Sequence, residues 1–183
     1  MARECEIVCG RQIANALEHQ KQITGEAIML IRWAKESDLP AWYALATEVS
    51  DIFQHPVDMG AELRAKASGQ GAVGRHEMLA AVDKKSGDAM GFICFSRAKN
   101  DIAWLAVSEK YRGKGVGSRL LEAALQQLDG RRDITVVTFC ADYLPGAAAR
   151  ALYKKHGFTQ EKPTTYNGLP RCTMIRPATG GTQ

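Results

Sequence analysis

The segment EKYRGKGVGSRLL, residues 109–121, has three glycines within five positions, with basic residues before, between and after them. An apolar stretch precedes it, and apolar residues at helical spacing follow it. Because glycine accepts backbone conformations that other residues avoid, this order predicts a strand that turns sharply into a helix. The free N–H groups and partial positive charge at a helix N-terminus favour an anion, so the segment predicts a site suited to phosphate. The alternative is a solvated, charged turn.

Two common phosphate-binding motifs do not fit the spacing of these glycines. A P-loop requires a glycine, four residues and then Gly-Lys-Ser or Gly-Lys-Thr, and the sequence has no such string. The dinucleotide motif G-x-G-x-x-G fails because Ser118 stands where the third glycine belongs. The spacing therefore excludes both of these nucleotide-binding motifs.

Strand patterns occur on both sides of the glycine segment. They are indicated by AIMLIRWA, by three successive stretches between residues 76 and 107, by DITVVTFCA, and by two short stretches from Phe158 onward. Gly87-Asp88 and residues 99–101 are the predicted turns between the three middle strands. SGQGAVG, just before them, predicts a flexible loop.

Helices are predicted between the strands. SDLPAWYALATEV begins with Ser37 or Asp38 as its cap, and a short helix is predicted for residues 59–67. A third helix is predicted for residues 115–129, with Gly130 as its stop, and PGAAARALYKKHG is the fourth. Together the elements predict a mixed α/β domain around one sheet.

Composition limits the classes to which the chain can belong. Its 183 residues are 45% hydrophobic and 24% charged, which fits one globular domain. A net charge of +4 is too small to argue for nucleic acid as a partner. We expect an N-terminal extension at residues 1–26 (added during cloning, or an accessory arm), a domain at 27–177 and a flexible tail at 178–183.

Cysteines and histidines are scattered. Five cysteines show no C-x-x-C spacing, which favours a reduced, cytoplasmic chain, and four histidines form no carboxylate-flanked pair, so we expect no metal. No apolar stretch is long enough to cross a bilayer, so we also expect no membrane partner. The chain is expected to be a monomer or a homodimer.

Two stretches carry a family resemblance. LAVSEKYRGKGVGSRLLEAAL resembles motif A of the GNAT superfamily of acetyl-CoA-dependent N-acetyltransferases, in which Arg/Gln-x-x-Gly-x-Gly/Ala is met by Arg112, Gly115 and Gly117. ALYKKHGF is similar to the motif that follows in that family, an aromatic residue on a helix that leads into Gly-Phe. The resemblance covers residues 29–177. It implies a mixed, mostly antiparallel sheet of about six or seven strands, flanked by helices and splayed at the strand that carries residues 105–107.

The resemblance also implies a function. Such enzymes move the acetyl group of acetyl-CoA, their co-substrate, to a primary amine by direct attack in a ternary complex. Backbone groups of the glycine loop hold the coenzyme diphosphate, and the splayed strand pairs with the pantetheine arm. Carried over to this sequence, the coenzyme-binding residues are Leu105, Ala106, Val107, Arg112, Gly113, Lys114, Gly115, Val116, Gly117, Ser118 and Tyr153.

Three residues correspond to catalytic groups of the family. Tyr153 matches the acid that protonates the leaving thiolate, and Leu105 offers the backbone N–H for the thioester oxygen. Asp101 is the candidate base. The alternatives are that Tyr153 only packs its ring between helix and sheet, and that Asp101 only caps the turn after Asn100.

The acceptor amine is not determined by the sequence. Small molecules and protein amines both stay open, and Glu48, Asp51, Phe53 and His55 lie in the segment where relatives recognise the acceptor. Gly146 stands where many relatives have an asparagine, which predicts a wider acceptor channel. An acyl-CoA-binding module without catalysis is the alternative function.

Overall fold

The structure, a computed structural model, describes residues 29–53 and 71–179. Seven strands form one sheet in the order β1-β2-β3-β4-β5-β7-β6. Every neighbouring pair is antiparallel except β4 and β5, which are parallel. The strands are β1 (Met29–Trp33), β2 (Met78–Asp83), β3 (Ala89–Ser96), β4 (Asp101–Val107), β5 (Ile134–Thr138), β6 (Gln160–Tyr166) and β7 (Leu169–Arg176). The predicted mixed, mostly antiparallel sheet is confirmed.

Four α-helices cover the sheet within the described residues. They are α1 (Leu39–Glu48), α2 (Ser50–Phe53), α3 (Val116–Leu125) and α4 (Ala147–Lys155). Short 3-10 turns at Glu36–Asp38, Glu109–Tyr111 and Leu144–Gly146 lead into α1, the glycine loop and α4. None of these helices is long and apolar enough to cross a membrane.

The sheet separates two hydrophobic cores. On one face, Leu120 and Leu121 of α3 are fully buried against the strands. On the other face, Trp42 and Leu45 of α1 pack on Phe92. Because successive residues of a strand point to opposite faces, the apolar middle strands supply both cores, and this explains why they lack a polar alternation.

Helix α3 ends earlier than the sequence predicted. It stops at Leu125 rather than at residue 129, and Gly130 is not its stop. The chain tightens there, because the Gln127 N–H donates to Ala124 O and not to the carbonyl four residues back. The predicted helix at 59–67 and the divisions at residues 26 and 177 stay predictions, because the first lies outside the described residues and nothing tests the others.

Strands β4 and β5 separate soon after they meet. They pair only at Asp101↔Thr135 and Ile102↔Val136. Between Cys94↔Trp104 and Phe95↔Ile102 the register with β3 shifts by one residue, which makes Ala103 a β-bulge in β4. β4 then continues alongside β3 alone, so the predicted splay at residues 105–107 is present and opens a cleft in the sheet.

The closed end of this cleft is held by Asn100. Its side chain is buried with a φ of 58°, and its Nδ2 donates to Asp129 O and Asp133 O, each at 3.0 Å. Its Oδ1 accepts the Asp129 N–H at 2.9 Å. The Thr135 N–H donates to the Asn100 carbonyl at 3.2 Å. One turn residue therefore ties the start of β4 to the segment that leads into β5.

Asn100→Ala should strongly destabilise the fold. The substitution leaves buried backbone groups without partners, and we expect the free energy of unfolding to fall by about 3 kcal/mol, measured by urea unfolding. Asn167→Ala is the matched control, since Asn167 has a φ of 50° in the exposed β6–β7 turn. Equal losses in the two variants would mean that the cost comes from the backbone conformation and not from the Asn100 hydrogen bonds.

Candidate active site

The cleft between β4 and β5 has a volume of about 1350 Å³. One wall is the outer part of β4, and the opposite wall combines β5 with the first turns of α4. The glycine loop and the start of α3 lie at one end, and residues of α1 and α2 also border the space. Most of the residues predicted from sequence to form the site are therefore brought to one cavity.

Glycines are needed at the loop for two different reasons. Gly113 and Gly115 have φ values of 73° and 78°, and a Cβ at either would contact nothing within 4 Å, so the requirement is the left-handed backbone itself. Gly117 lies inside α3, where a Cβ would be 3.2 Å from Leu152 Cδ2. Its small size lets α3 approach α4. No side chain in the described part of the chain caps α3, so the N–H groups of its first turn are available to a ligand.

The basic residues near the glycine loop differ in whether their charge is already paired with a carboxylate. Lys110 binds Asp88 at 2.7 Å, and the Tyr111 hydroxyl donates to the same carboxylate at 3.0 Å. Arg112, by contrast, borders the cleft, and its Nε donates to Val107 O at 3.1 Å. Exposed Lys114 stays beside the loop, with its Nζ 5.4 Å from the centre of the Tyr111 ring.

Glu48 lies beside the glycine loop as well. Its Oε1 accepts the Glu109 N–H at 2.7 Å and is 4.0 Å from an Arg112 nitrogen. The carboxylate therefore connects the C-terminal end of α1 to the turn that precedes the loop. Its assignment to the acceptor site stays a prediction, and these two contacts join parts of the fold.

The free edge of β4 presents backbone groups to the cleft. The Ser108 N–H donates to Met90 O in β3, and hydrogen-bonded pairs alternate along antiparallel strands. Trp104 and Ala106 therefore pair with β3 in the same way, whereas the N–H groups of Leu105 and Val107 face the side from which β5 has departed. The Arg112 contact to Val107 O agrees with that direction.

Tyr153 borders the cleft from α4. Its side chain is buried, its ring lies 5.4 Å from that of Phe158, and burial raises its pKa above the usual value. The hydroxyl therefore keeps its proton at neutral pH. The geometry suits a proton donor and also shows the packing role that was the alternative, and its catalytic role stays a prediction.

A buried arginine that the sequence did not single out holds α4 in place. Arg150 binds Glu161 of β6 through Nη2 at 2.7 and 2.9 Å, and its Nη1 donates to Phe139 O at 3.0 Å. Arg150 and Tyr153 are three residues apart, so they share the buried face of α4. The sequence offers only this spacing, because an arginine on a helix is usually exposed.

Asp101 is the first residue of β4, not part of the turn as predicted. Its Oδ1 is buried and has no hydrogen-bond partner among the described residues, and burial raises the pKa of the carboxyl group. The turn is held by Asn100, so the structure gives no support to Asp101 as its cap. Asp101 borders the same cleft as Tyr153, four residues along β4 from Leu105.

The residues predicted for the acceptor segment separate in the structure. Phe53 borders the cleft and packs on Phe139 with ring centres 5.4 Å apart, whereas Asp51 is exposed on α2 and is not part of the cleft wall. His55 lies outside the described residues. Among the described residues no cluster of histidine, cysteine, aspartate or glutamate is placed to hold a metal ion.

An aromatic group with an arginine was missed by sequence reasoning. Phe139 stacks on Tyr143 at 5.2 Å, and the Arg171 guanidinium lies 5.2 Å from the centre of the Phe139 ring. Arg171 Nη2 donates to Phe53 O at 2.8 Å, and the Tyr143 hydroxyl donates to Ile52 O at 2.9 Å. This group ties α2 to the β5 side of the cleft. No motif marks it, because its members come from distant parts of the chain.

The prediction that Gly146 leaves a wider acceptor channel is wrong. Gly146 is buried, and a Cβ there would be only 2.4 Å from Phe139 Cβ and 2.5 Å from its Cγ. Phe139 therefore occupies the space that a side chain at this position would take. Glycine is required here because the aromatic ring approaches the backbone so closely.

Comparison with known proteins agrees with this architecture. Residues 74–160 match the family model described as an acetyltransferase (GNAT) domain. This part of the chain is therefore similar to a GNAT acetyltransferase domain. No curated protein sequence matches it significantly.

Solved structures with the same fold include three proteins of low sequence identity, two of which are named as acetyltransferases. Ard1 from Thermoplasma volcanium is 21% identical, with a TM-score of 0.60 over 83% of this chain and 99% of that one. The ribosomal-protein-S18-alanine N-acetyltransferase from Escherichia coli is 20% identical, with a TM-score of 0.60 over 85% and 97%. Diaminobutyrate acetyltransferase EctA from Paenibacillus lautus, solved with L-2,4-diaminobutyric acid and coenzyme A, is 15% identical, with a TM-score of 0.61 over 85% and 98%.

Asp101→Asn should have a pH-dependent effect on stability. A carboxyl whose pKa is raised by folding costs stability once pH rises above its ordinary value of 3.8, and this cost is complete above the raised pKa. We therefore expect the melting temperature of the variant, relative to that of the original chain, to be higher at pH 7 than at pH 4. A difference that is the same at both pH values would show that Asp101 is not charged and desolvated in the fold.

Proposed function

We propose that the protein is an N-acetyltransferase that moves the acetyl group of acetyl-CoA to a primary amine by direct attack in a ternary complex. The observation that carries the proposal is the meeting of three features in one cleft. These are an uncapped α3 behind a glycine loop, the free edge of β4, and the buried Tyr153. The similarity to a GNAT acetyltransferase domain supports the same chemistry.

The diphosphate of the coenzyme fits the glycine loop. Gly113 and Gly115 have the positive φ values that turn successive N–H groups to one side, and α3 adds its partial positive charge. Arg112 and Lys114 are exposed and close enough to neutralise the phosphates. The backbone from Arg112 to Ser118 would hold this group.

The pantetheine arm fits the edge of β4. An extended chain with amide groups can pair with the free N–H groups of Leu105 and Val107 as an added strand. The Arg112 side chain donates to Val107 O in the structure. Arg112 would therefore exchange this carbonyl for a phosphate when the coenzyme binds.

Three groups of the chain would act on the bound substrates. The Leu105 N–H would stabilise negative charge on the thioester oxygen, and Tyr153 would donate a hydrogen bond and then a proton to the leaving sulfur. Asp101 would accept, through water, the proton that the attacking amine loses. The phenolate left on Tyr153 would regain a proton from solvent. Holding amine and thioester together would supply much of the acceleration.

Thiol release in the presence of acetyl-CoA and a panel of primary amines tests the proposal. At least one amine should give release well above the rate without amine, and mass spectrometry should find the acetylated amine. Tyr153→Phe should lower turnover by about 100-fold and leave the stabilisation of the fold by coenzyme A unchanged, because only the proton donor is lost.

Tyr111→Phe is the matched control for this substitution. Tyr111 is buried beside the glycine loop, and its hydroxyl binds Asp88, which does not border the cleft. Its turnover should stay close to that of the original chain. Equal turnover for Tyr153→Phe and the original chain would remove Tyr153 from the chemistry, and stabilisation by coenzyme A without acetylation of any amine would contradict the proposed function.

A further inference from the structure

Three buried side-chain atoms lack a hydrogen-bond partner in the described part of the chain. They are Trp42 Nε1, Trp104 Nε1 and Asp101 Oδ1. All three residues border the cleft between β4 and β5. Because a buried polar atom without a partner costs stability, three such atoms on residues that line one cavity indicate that something else completes them.

The β-bulge brings Asp101 and Trp104 to one face of the sheet. Asp101 lies opposite Ser96, and Trp104 lies opposite Cys94. Ser96 and Cys94 are two residues apart on β3 and therefore share a face. Residues three apart on a regular strand would point to opposite faces, so the bulge at Ala103 is what puts the carboxylate and the indole side by side.

Trp42 reaches the same face from α1. Its side chain is only 3% exposed, and its ring meets that of Trp104 edge to face, with centres 5.7 Å apart. The two rings belong to one hydrophobic core, whose other members are apolar. An indole nitrogen is a donor and never an acceptor, so both tryptophans offer an N–H that only an acceptor atom can satisfy.

We propose that Trp42 and Trp104 are specificity-determining residues whose indole N–H groups bind an oxygen, carbonyl or carboxylate, that the acceptor carries close to its amine. The inference rests on the proposed function, in which Asp101 receives the proton of the amine. The Asp101 carboxylate lies on the side of the amine of the acceptor substrate, and the two indole N–H groups donate to its oxygen.

The size of the acceptor unit follows from the strand. Asp101 and Trp104 are three residues apart, which is at most about 10 Å along β4. The amine and the oxygen that they recognise therefore belong to one small part of the acceptor. Amino acids, their amides and the N-terminal residue of a peptide carry an amine and an oxygen within one such small unit, and a simple alkylamine has no oxygen.

Four amines of related shape test the inference in the thiol-release assay. Isopropylamine has no oxygen, alanine has a carboxylate, alaninamide has a carbonyl, and alanylalaninamide presents the same carbonyl within a peptide. We expect kcat/KM for at least one oxygen-bearing amine to exceed that for isopropylamine by about tenfold or more, chiefly through KM. The preferred amine distinguishes free amino acid, small amide and peptide as the source of the oxygen.

Phenylalanine substitutions remove the indole N–H and keep a ring. Trp104→Phe and Trp42→Phe should each raise KM for the preferred amine by about tenfold while KM for isopropylamine changes little. Trp33→Phe is the matched control, because Trp33 packs against His76 and Phe95 but does not itself border the cleft. Trp104 is partly exposed, so its variant serves if Trp42→Phe does not fold.

Calorimetry separates this inference from the proposed function. Titration of alaninamide into the coenzyme A complex reports binding without turnover, and Trp104→Phe should weaken it by about tenfold. If alaninamide binds in a way that depends on the indoles but is not acetylated, the inference holds and the proposed acetyltransferase function is contradicted. The inference would be overturned if amines with and without an oxygen were acetylated with equal KM and the tryptophan variants left KM unchanged. The proposed acetyltransferase function would still hold in that case.

Discussion

The interaction on which the rest of the structure depends is the short pairing between β4 and β5. Two residue pairs join the strands, and beyond them β4 has no neighbour on one side. A sheet normally satisfies the backbone groups of its inner strands, so this interruption leaves the N–H groups of Leu105 and Val107 open in the middle of the molecule. Asn100 stabilises the closed end with buried hydrogen bonds, and the glycine loop lies at the open end.

The bulge at Ala103 changes the direction of both backbone groups and side chains of β4. It changes which backbone groups of β4 face β5, so that Leu105 and Val107 rather than their neighbours point to the open side. It also changes which side chains share a face, so that Asp101 joins Trp104. The same extra residue thus links the edge proposed to hold the coenzyme to the surface proposed to hold the acceptor.

Much of this was predictable from sequence, because local chemistry decides it. Three glycines between a strand and an amphipathic helix fix the loop, and the order of apolar stretches fixes the order of the elements. The Ala103 bulge has no such signal, since alanine fits a regular strand equally well. The segment after the early end of α3 is held by Asn100, which binds Asp129 from a distant turn. The contact of Phe139 with Gly146 and that of Trp42 with Trp104 are tertiary contacts, which the spacing of residues in the sequence does not reveal.

The most direct test of the account is residue-resolved hydrogen–deuterium exchange of the β4 amides with and without coenzyme A. In the free protein Leu105 and Val107 should exchange faster than Trp104 and Ala106, whose N–H groups pair with β3. Coenzyme A should slow Leu105 and Val107 specifically. If coenzyme A raises the melting temperature but leaves the exchange of these two amides unchanged, the opening between β4 and β5 is not the coenzyme site.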